Sequence, residues 1–275
     1  MVEARTVSAV VDRDTVGQLA DRLWRAEVDR KPIEPLTDAY PDLTVEDAYA
    51  IQGVNVERRV AAGAIVRGRK VGLTSRAMQQ LLGVQEPDFG VLLDDMFVEE
   101  GADVDVNALV QPRIEAEIAF ILGRDLAGPG VTTSDVLTAT VGVLPAMEIV
   151  DSRIARWRIQ LADTVADNAS SARLVIGGRL TPVTAVDLRL IGMMFYRNGV
   201  PIDSGAGAAA LGNPAYCVAW LANQLGRLGS GLRAGDIVLP GALHRMVPVR
   251  PGDVYRAEFA HLGDVTVRFT GEAAG

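Results

Sequence analysis

The sequence predicts an α+β fold, in which a helical N-terminal region, residues 1–77, precedes a larger, mostly β domain, residues 78–275. Two observations predict it. Apolar residues recur at helical spacing in the first third of the chain, and from about Phe89 the sequence changes to short alternating segments separated by Gly, Pro and Asp. The 275 residues suit one large domain, or one domain with a smaller appendage, and are enough to bury a sizeable core.

Three helices are expected in the N-terminal part. The first would be capped by Asp14, and its apolar positions at helical spacing are Val16, Leu19, Ala20 and Leu23. Thr44 and Asp47 have the spacing of a capping box that opens a second helix, which Gly63 would close. A third, short helix is expected over residues 75–83.

The remainder of the chain is typical of β structure. The segment PRIEAEIAFIL alternates strictly, and further strands are expected at DIVLP, VPVRPGD, VYRAEFA and DVTVRFT. One long helix interrupts them, with Asn213 as the cap, Pro214 at the first helical position and an end near Gly226. This helix is apolar on most sides, so we expect it to be buried.

Charge and composition exclude several classes of function. The chain carries 27 Lys and Arg against 35 Asp and Glu, and an acidic balance without a basic cluster argues against nucleic acid and anionic membranes as partners. No apolar run reaches membrane-spanning length, and the N-terminus is too charged for a signal peptide. The single Cys217 excludes a disulfide framework and fits a reducing compartment. We therefore expect a cytoplasmic protein.

The histidine count restricts the metal chemistry. His244 and His261 are the only two histidines, so a His-rich metal site within one chain is excluded. Any metal would be held by carboxylates, which favours a hard cation such as Mg²⁺ or Mn²⁺. His244 is expected in a loop between two strands, and a structural role is expected for His261.

Three glutamates are candidate metal ligands. On a strand, Glu115 and Glu117 share one face, and a divalent cation would remove the repulsion between them. Glu148 lies in the apolar run VGVLPAMEIV, where a charge is costly unless it is paired or ligating. The alternatives are a solvated strand face for the first two and, for Glu148, pairing with Arg153 or reaching solvent.

Other candidates flank turns. Lys70 could act as a general base or hold a substrate carboxylate, and the alternative is an exposed lysine. Asp88, on a rigid turn, could transfer protons or be an ordinary turn residue. The polar segment 163–171 could donate hydrogen bonds to an anionic ligand, although caps and turns explain it equally well.

Several long motifs, in order, resemble the 2-keto-4-pentenoate hydratase family of the fumarylacetoacetate hydrolase-like superfamily. They are RKVGLTSRAMQQLLGVQEPDFGVLLDDM, PRIEAEIAFIL, PAMEIVDSR, DTVADNASSA and LGNPAYCVAWLANQLG. The resemblance covers roughly Lys70 to the end of the chain. It implies a helical N-terminal region and a mixed β-roll or barrel domain, here residues 78–275, that binds Mg²⁺ or Mn²⁺ in its mouth.

The resemblance also implies roles for the candidate residues. Glu115, Glu117 and Glu148 would be the metal ligands, and Lys70 with Asp88 the acid/base pair. Thr74 and Ser170 are our candidates for hydrogen bonds to the substrate carboxylate.

The implied activity is the hydration of 2-hydroxypenta-2,4-dienoate to 4-hydroxy-2-oxopentanoate, as in aromatic meta-cleavage catabolism. Related members act as 2-oxohept-3-enedioate hydratases or 4-oxalocrotonate decarboxylases. A dicarboxylate needs a second cationic anchor, and the candidates are Arg153, Arg156, Arg158 and Arg245. The residues HRM that follow PGAL depart from the family pattern. They lie at a position where substrate selectivity could be set.

An alternative of another class is a non-catalytic subunit that stabilises a partner enzyme. The intact set of three glutamates argues against it, because a subunit without a metal is free to lose a ligand. The resemblance further implies a homo-oligomer, and a decarboxylase or aldolase as a possible partner.

Overall fold

A computed structural model describes residues 11–75, 79–80 and 83–272. In these ranges the helices are α1 (Arg13–Asp29), α2 (Leu36–Ala39), α3 (Val45–Ala61), α4 (Thr133–Ala139), α5 (Leu161–Ala166) and α6 (Pro214–Arg227). The strands are β1 (Val66–Gly72), β2 (Asp88–Leu93), β3 (Phe97–Val98), β4 (Asp103–Asp105), β5 (Pro112–Leu122), β6 (Thr140–Asp151), β7 (Ser171–Ile176), β8 (Gly192–Arg197), β9 (Val200–Ala206), β10 (Ile237–Leu239), β11 (Val247–Pro248), β12 (Val254–Phe259) and β13 (Gly263–Thr270). The α+β expectation is confirmed.

The N-terminal helices follow their sequence signals, with one correction. The Asp12 side chain, and not that of Asp14, caps α1 by accepting a hydrogen bond from Thr15 N. Thr44 and Asp47 form the expected capping box of α3. Gly63 follows the end of that helix with a φ of +109°, which favours glycine. The third predicted helix, residues 75–83, lies largely outside the described residues.

The larger sheet positions the site. Within the described residues it has eight strands, in the order β2-β1-β10-β5-β6-β7-β3, with β11 paired to β5. β1 pairs in parallel with β10, and β5 pairs antiparallel with β6 along almost its whole length. β1 therefore belongs to this sheet although it precedes the expected boundary at residues 77 and 78, and that boundary stays a prediction.

A second, five-stranded sheet has the order β4-β13-β12-β8-β9. The main hydrophobic core joins it to the larger sheet, with Phe120 of β5 and Tyr255 of β12 among its fully buried side chains. Helix α6 contributes to the same core, begins after the Asn213 cap as expected and is largely buried. No helix in the described part of the chain is long and apolar enough to cross a membrane.

The N-terminal helices form a separate, smaller core. It brings Leu19 of α1, Ile51 of α3 and Val165 of α5 together. Gln52 on α3 ties this core to the larger sheet, because its side-chain amide donates to the carbonyl oxygens of Phe89 and Val165 at 3.1 and 2.9 Å. The helical region thus supports the ends of β2 and α5, which carry several candidate site residues.

Candidate active site

Three glutamates converge at the centre of the larger sheet. Glu115 of β5 lies directly opposite Glu148 of β6, and Glu117 shares the strand face of Glu115. One carboxylate oxygen from each lies within 4.8 Å of the others. The expected same-face arrangement of Glu115 and Glu117 is confirmed, and the register of β5 with β6 adds Glu148.

Two of these three carboxylates are fully buried, and the third lies at the edge of a cavity. Glu117 and Glu148 are 0% exposed, and Glu115 is half-buried at the edge of a cavity. Burial and the neighbouring Glu148 raise the pKa of Glu115 to about 7. Burial, followed by the charges of Glu148 and Glu115, also holds the pKa of Glu117 well above its usual value. Like charges at this density are unfavourable without a cation among them.

Each buried glutamate has a fixed hydrogen bond and an oxygen left over. Gly241 N donates to Glu117 Oε2 at 2.7 Å, and Ser171 Oγ donates to Glu148 Oε1 at 2.7 Å. Glu117 Oε1 and Glu148 Oε2 have no aligned hydrogen-bond donor among the described residues. Glu117 Oε1 is therefore available to a ligand, and Glu148 Oε2 has the Lys70 ammonium nearby, at 3.2 Å. Hard oxygen donors suit Mg²⁺ or Mn²⁺.

Lys70 on β1 is buried beside this cluster and is not the exposed lysine of the alternative interpretation. It is 3% exposed, its Nζ lies 3.2 Å from Glu148 Oε2, and it donates to the carbonyl oxygen of Ala169 at 3.1 Å. Burial lowers the pKa of Lys70, but the charges of the surrounding acids, led by that of Glu148, outweigh burial and hold it above its ordinary value. A lowered pKa would therefore require additional positive charge close by.

Asp88 begins β2, paired with Gly72 of β1. It is 1% exposed, accepts a hydrogen bond from Thr164 Oγ1 at 3.2 Å on Oδ2, and has no hydrogen-bond donor to Oδ1 among the residues described. A Cβ atom at position 72 would lie 2.2 Å from Asp88 Oδ1, so glycine there lets the carboxylate approach β1 and the Lys70 Nζ. Burial raises the pKa of Asp88, against the opposing charge of Lys70.

A cavity of about 540 Å³ opens onto these groups. Its lining includes Lys70, Thr74, Asp88, Glu115 and Ser170. Thr74 and Ser170 are both buried, and Ser170 Oγ has no hydrogen-bond partner in the described chain. The structure thus brings all seven predicted site residues together, five on the cavity wall and two in the adjoining carboxylate cluster.

The segment that carries Ser170 has an unusual backbone. Asn168, Ala169 and Ser170 have φ values of 52°, 50° and 55°, in the left-handed region that costs a non-glycine residue about 1–2 kcal/mol. The Asn168 side chain holds the turn by accepting from Val91 N at 2.8 Å and donating to Val91 O at 2.9 Å. The turn aims the Ala169 carbonyl at Lys70, so backbone strain here aligns a candidate catalytic group.

Several expectations for the arginines need correction. Arg153 does not pair with Glu148: it is buried against Asp167, at 2.5 Å, and Glu148 faces Lys70 instead. Arg156 and Arg158 are exposed and lie away from the cavity. Arg156 pairs with Glu34, and Arg158 pairs with both Glu34 and Asp38. Among the four candidate anchors, Arg245 alone lines the cavity.

Two residues of the predicted polar segment 163–171 donate to carboxylates of the protein itself: Ser171 orients Glu148 and Thr164 orients Asp88. Arg113 and Trp157, which the motifs did not single out, form part of the cavity wall. The position of Arg113 was readable from strand alternation, since it stands two residues before Glu115. No sequence pattern indicated Trp157, because it reaches the cavity through a turn and not through the regular alternation of a strand.

His244 also lines the cavity, in the loop between β10 and β11 that the sequence predicts. Its Nε2 accepts a hydrogen bond from Ala116 N at 2.9 Å, directly between the two glutamates of β5. Burial lowers the pKa of His244 to about 4. The neutral imidazole therefore supports the backbone of the strand that presents Glu115 and Glu117.

Comparison with known proteins identifies the family of this chain. Residues 60–270 match the family model for the C-terminal part of fumarylacetoacetate (FAA) hydrolase, which defines the class of protein. A 2-keto-4-pentenoate hydratase of Paraburkholderia xenovorans (strain LB400) is 50% identical over 252 residues, 92% of this chain and 94% of the relative. The chain belongs to the 2-keto-4-pentenoate hydratase family within the fumarylacetoacetate hydrolase class.

Two further relatives are similar over nearly their whole length. A 2-oxo-hept-4-ene-1,7-dioate hydratase of Escherichia coli is 41% identical over 264 residues, 94% of this chain and 99% of that protein. The structure of 4-oxalocrotonate decarboxylase from Pseudomonas putida G7, complexed with magnesium and adipate, superposes with a TM-score of 0.92. It is 39% identical, and the match covers 95% of this chain and 100% of that one.

Proposed function

We propose that the protein is a divalent-metal-dependent hydratase that adds water to 2-hydroxypenta-2,4-dienoate and yields 4-hydroxy-2-oxopentanoate. The observation that carries the proposal is the buried carboxylate cluster beside a buried Lys70 and Asp88 in one cavity. Relatives named 2-keto-4-pentenoate or 2-hydroxypent-2,4-dienoate hydratase are 44–50% identical to this chain, which supports the substrate assignment.

The carboxylates fit the cation that this activity needs. Glu115, Glu117 and Glu148 would hold Mg²⁺ or Mn²⁺, since all three offer hard oxygen ligands and Glu117 and Glu148 each have a buried oxygen without a hydrogen-bond donor in the described chain. The magnesium complex of the related decarboxylase supports this choice of metal. A bound divalent cation acts as a Lewis acid that stabilises negative charge developing on the C2 oxygen of the substrate.

The chain's own groups then bind the substrate and move its protons. Ser170 Oγ, buried and without a hydrogen-bond partner among the described residues, and Thr74, which lines the same cavity, would donate hydrogen bonds to the C1 carboxylate. A Cβ atom at Gly241, whose φ is +115°, would lie 1.9 Å from Thr74 Oγ1. Glycine at position 241 therefore lets the loop approach Thr74 while its N–H holds Glu117.

Proton transfer is assigned to Lys70 and Asp88. Transfer of the proton from the 2-hydroxyl group and protonation at C5 convert the dienol to 2-oxopent-3-enoate. Water then adds its oxygen at C4 and a proton at C3. Lys70 is kept in place by the Ala169 carbonyl, and Asp88 by Thr164, so both groups are oriented before substrate binds.

Three further expectations extend beyond this site and stay predictions: a homo-oligomer, a decarboxylase or aldolase partner, and a cytoplasmic location. The alternative of a non-catalytic partner subunit is disfavoured by the complete set of site residues on one cavity.

The product mass decides among the related activities. The purified protein is incubated with Mg²⁺ and either 2-hydroxypenta-2,4-dienoate, 2-hydroxyhepta-2,4-diene-1,7-dioate or 4-oxalocrotonate, with a chelator control. We expect the monocarboxylate to gain one water, and the gain to disappear with the chelator. Preferred hydration of the dioate would assign that dicarboxylate as the substrate. Loss of CO₂ from 4-oxalocrotonate would identify the protein as a decarboxylase.

A further inference from the structure

Besides His244, the described cavity lining includes Lys70, Arg113 and Arg245, and one of these three has no ion-pair or hydrogen-bond partner in the described part of the chain. Lys70 pairs with Glu148, and Arg245 Nε lies 3.5 Å from Asp203 Oδ2. Arg113 has neither an ion pair nor a hydrogen bond to its guanidinium within residues 11–75, 79–80 and 83–272. It is half-buried, so water replaces a protein partner only in part.

Strand geometry brings Arg113 toward the reaction site. Arg113 and Glu115 are two residues apart on β5, so their side chains leave the same strand face from Cα atoms about 6.5–7 Å apart. A side chain of this length can reach a ligand that is held beside Glu115. The strand partner of Arg113 is Val150, which also lines the cavity.

Trp157 holds the guanidinium in place. The Arg113 Cζ atom lies 4.4 Å from the centroid of the Trp157 ring, within the range of a cation–π contact. The indole Nε1 donates to Gln111 O at 3.1 Å, which fixes the ring plane. A stacked guanidinium keeps its in-plane N–H groups free for a second ligand.

The turn that presents Trp157 is strained. Arg156 and Trp157 have φ values of 58° and 55°, and a left-handed backbone is exceptional for a bulky aromatic residue. The turn docks on the N-terminal region, where Ala155 N donates to Ile33 O at 2.7 Å. The fold thus maintains an unfavourable backbone conformation, and this conformation positions the Trp157 ring against the Arg113 guanidinium.

We propose that Arg113, held on Trp157, binds a carboxylate of the substrate through its in-plane N–H groups. Planar guanidinium and carboxylate groups match as a bidentate pair, and this chemistry distinguishes arginine from lysine at such a position. The inference rests on the proposed function for the identity of the acid. The carboxylate is either C1 of a monocarboxylate or the distal group of a dicarboxylate.

Steady-state kinetics test the proposal. Arg113→Met retains an unbranched apolar side chain but loses the guanidinium and its charge, and Arg113→Lys retains the charge without the planar fork. Arg158→Gln, which removes an exposed charge outside the cavity from the turn that carries Trp157, is the control. We expect KM to rise about 10- to 100-fold in Arg113→Met, less in Arg113→Lys, and not in the control.

The choice of acid identifies the carboxylate. A rise in KM for both 2-hydroxypenta-2,4-dienoate and 2-hydroxyhepta-2,4-diene-1,7-dioate would mean that Arg113 binds the C1 group. A rise for the dioate alone would assign Arg113 to the distal group. Unchanged KM for both acids, in a wild-type protein that hydrates at least one of them, would overturn the inference and leave the proposed function intact.

A binding measurement separates the two proposals further. In a Trp24→Phe/Trp220→Phe background, Trp157 is the remaining tryptophan. The saturated probes 2-oxopentanoate and 2-oxoheptanedioate, which cannot be hydrated, are titrated with Mg²⁺ present. We expect a saturable change in Trp157 emission that shifts to at least about 10-fold higher probe concentration in Arg113→Met. Equal titration curves would overturn the role of Arg113 even if the protein turns over neither dienoate.

Discussion

Glu115 and Glu148 lie directly opposite each other on the antiparallel strands β5 and β6, and Glu117 extends the pair along the same face. Opposed like charges destabilise a sheet, and here two of the three carboxylates are completely buried. The arrangement is therefore expected to gain stability from a divalent cation.

Removing one carboxylate is expected to abolish metal binding without unfolding the protein. In Glu148→Gln the cluster loses a charge and a ligand, so calorimetric Mn²⁺ binding should disappear and turnover should fall at least about 100-fold. The metal-free protein should still unfold cooperatively, because Glu115, Glu117 and Asp88 continue to offset the charge of Lys70 after its ion-pair partner is lost. The exposed Glu99→Gln serves as the control, and retained Mn²⁺ affinity in Glu148→Gln would argue against this ligand set.

Lys70 and Asp88 are expected to affect chemistry more than metal affinity. Lys70→Met and Asp88→Asn should each lower kcat by about 100- to 10,000-fold, the usual contribution of a positioned acid or base. Mn²⁺ titration of both variants should still saturate, because all three glutamates remain. A variant with near-normal kcat would remove that residue from the proton-transfer step.

The left-handed turn at Asn168 gives a paired prediction. Asn168→Ala removes both hydrogen bonds to Val91 and should lower the free energy of unfolding by about 2–3 kcal/mol, together with kcat. Ala169→Gly removes the cost of a left-handed alanine and should stay within about 1 kcal/mol of wild type. The control is Ala172→Gly on β7, where no such cost exists and glycine should destabilise by about 1 kcal/mol. Equal losses in the two glycine variants would contradict the strain argument.

The burial of His244 leads us to expect a specific pH dependence of stability. Its pKa is lowered to about 4 in the fold, below the ordinary value of about 6.5 in an unfolded chain, so the unfolded state binds the proton more readily. The contribution of neutral His244 to the free energy of unfolding is therefore present above about pH 6.5 and is lost as the pH falls toward 4. In His244→Gln, the amide oxygen replaces Nε2 as the acceptor for Ala116 N.

The measurement is denaturant unfolding of both proteins at several pH values. The stability of wild type relative to His244→Gln should fall by about 2 kcal/mol between about pH 7 and pH 4.5, and the subtraction cancels the titration of the carboxylate cluster. A constant difference over that range would show that His244 is not held neutral by the fold.

Local patterns predicted the parts of this molecule that depend on neighbours in sequence. Strand alternation placed Glu115 and Glu117 on one face, and the capping box at Thr44 located the start of α3. The Asp12 cap was missed by two residues because Asp12 and Asp14 are equally good caps in isolation.

Long-range register lay beyond those patterns. Pairing of Glu148 opposite Glu115 depends on the alignment of two distant strands, and Lys70 reaches them because β1 pairs in parallel with β10. For the same reason the alternative prediction that Glu148 pairs with Arg153 was wrong, because Arg153 pairs with Asp167 in the fold. The raised pKa of Lys70 likewise depends on distant residues, because the acids that surround it come from other strands.

The most direct measurement is a parallel titration of Mg²⁺ binding and hydration rate in metal-stripped protein, with 2-hydroxypenta-2,4-dienoate as the substrate. The account predicts that one Mg²⁺ binds per chain, that the rate of water addition rises with its occupancy, and that Glu117→Gln loses both. Full hydration activity in the stripped protein, or in Glu117→Gln, would contradict it.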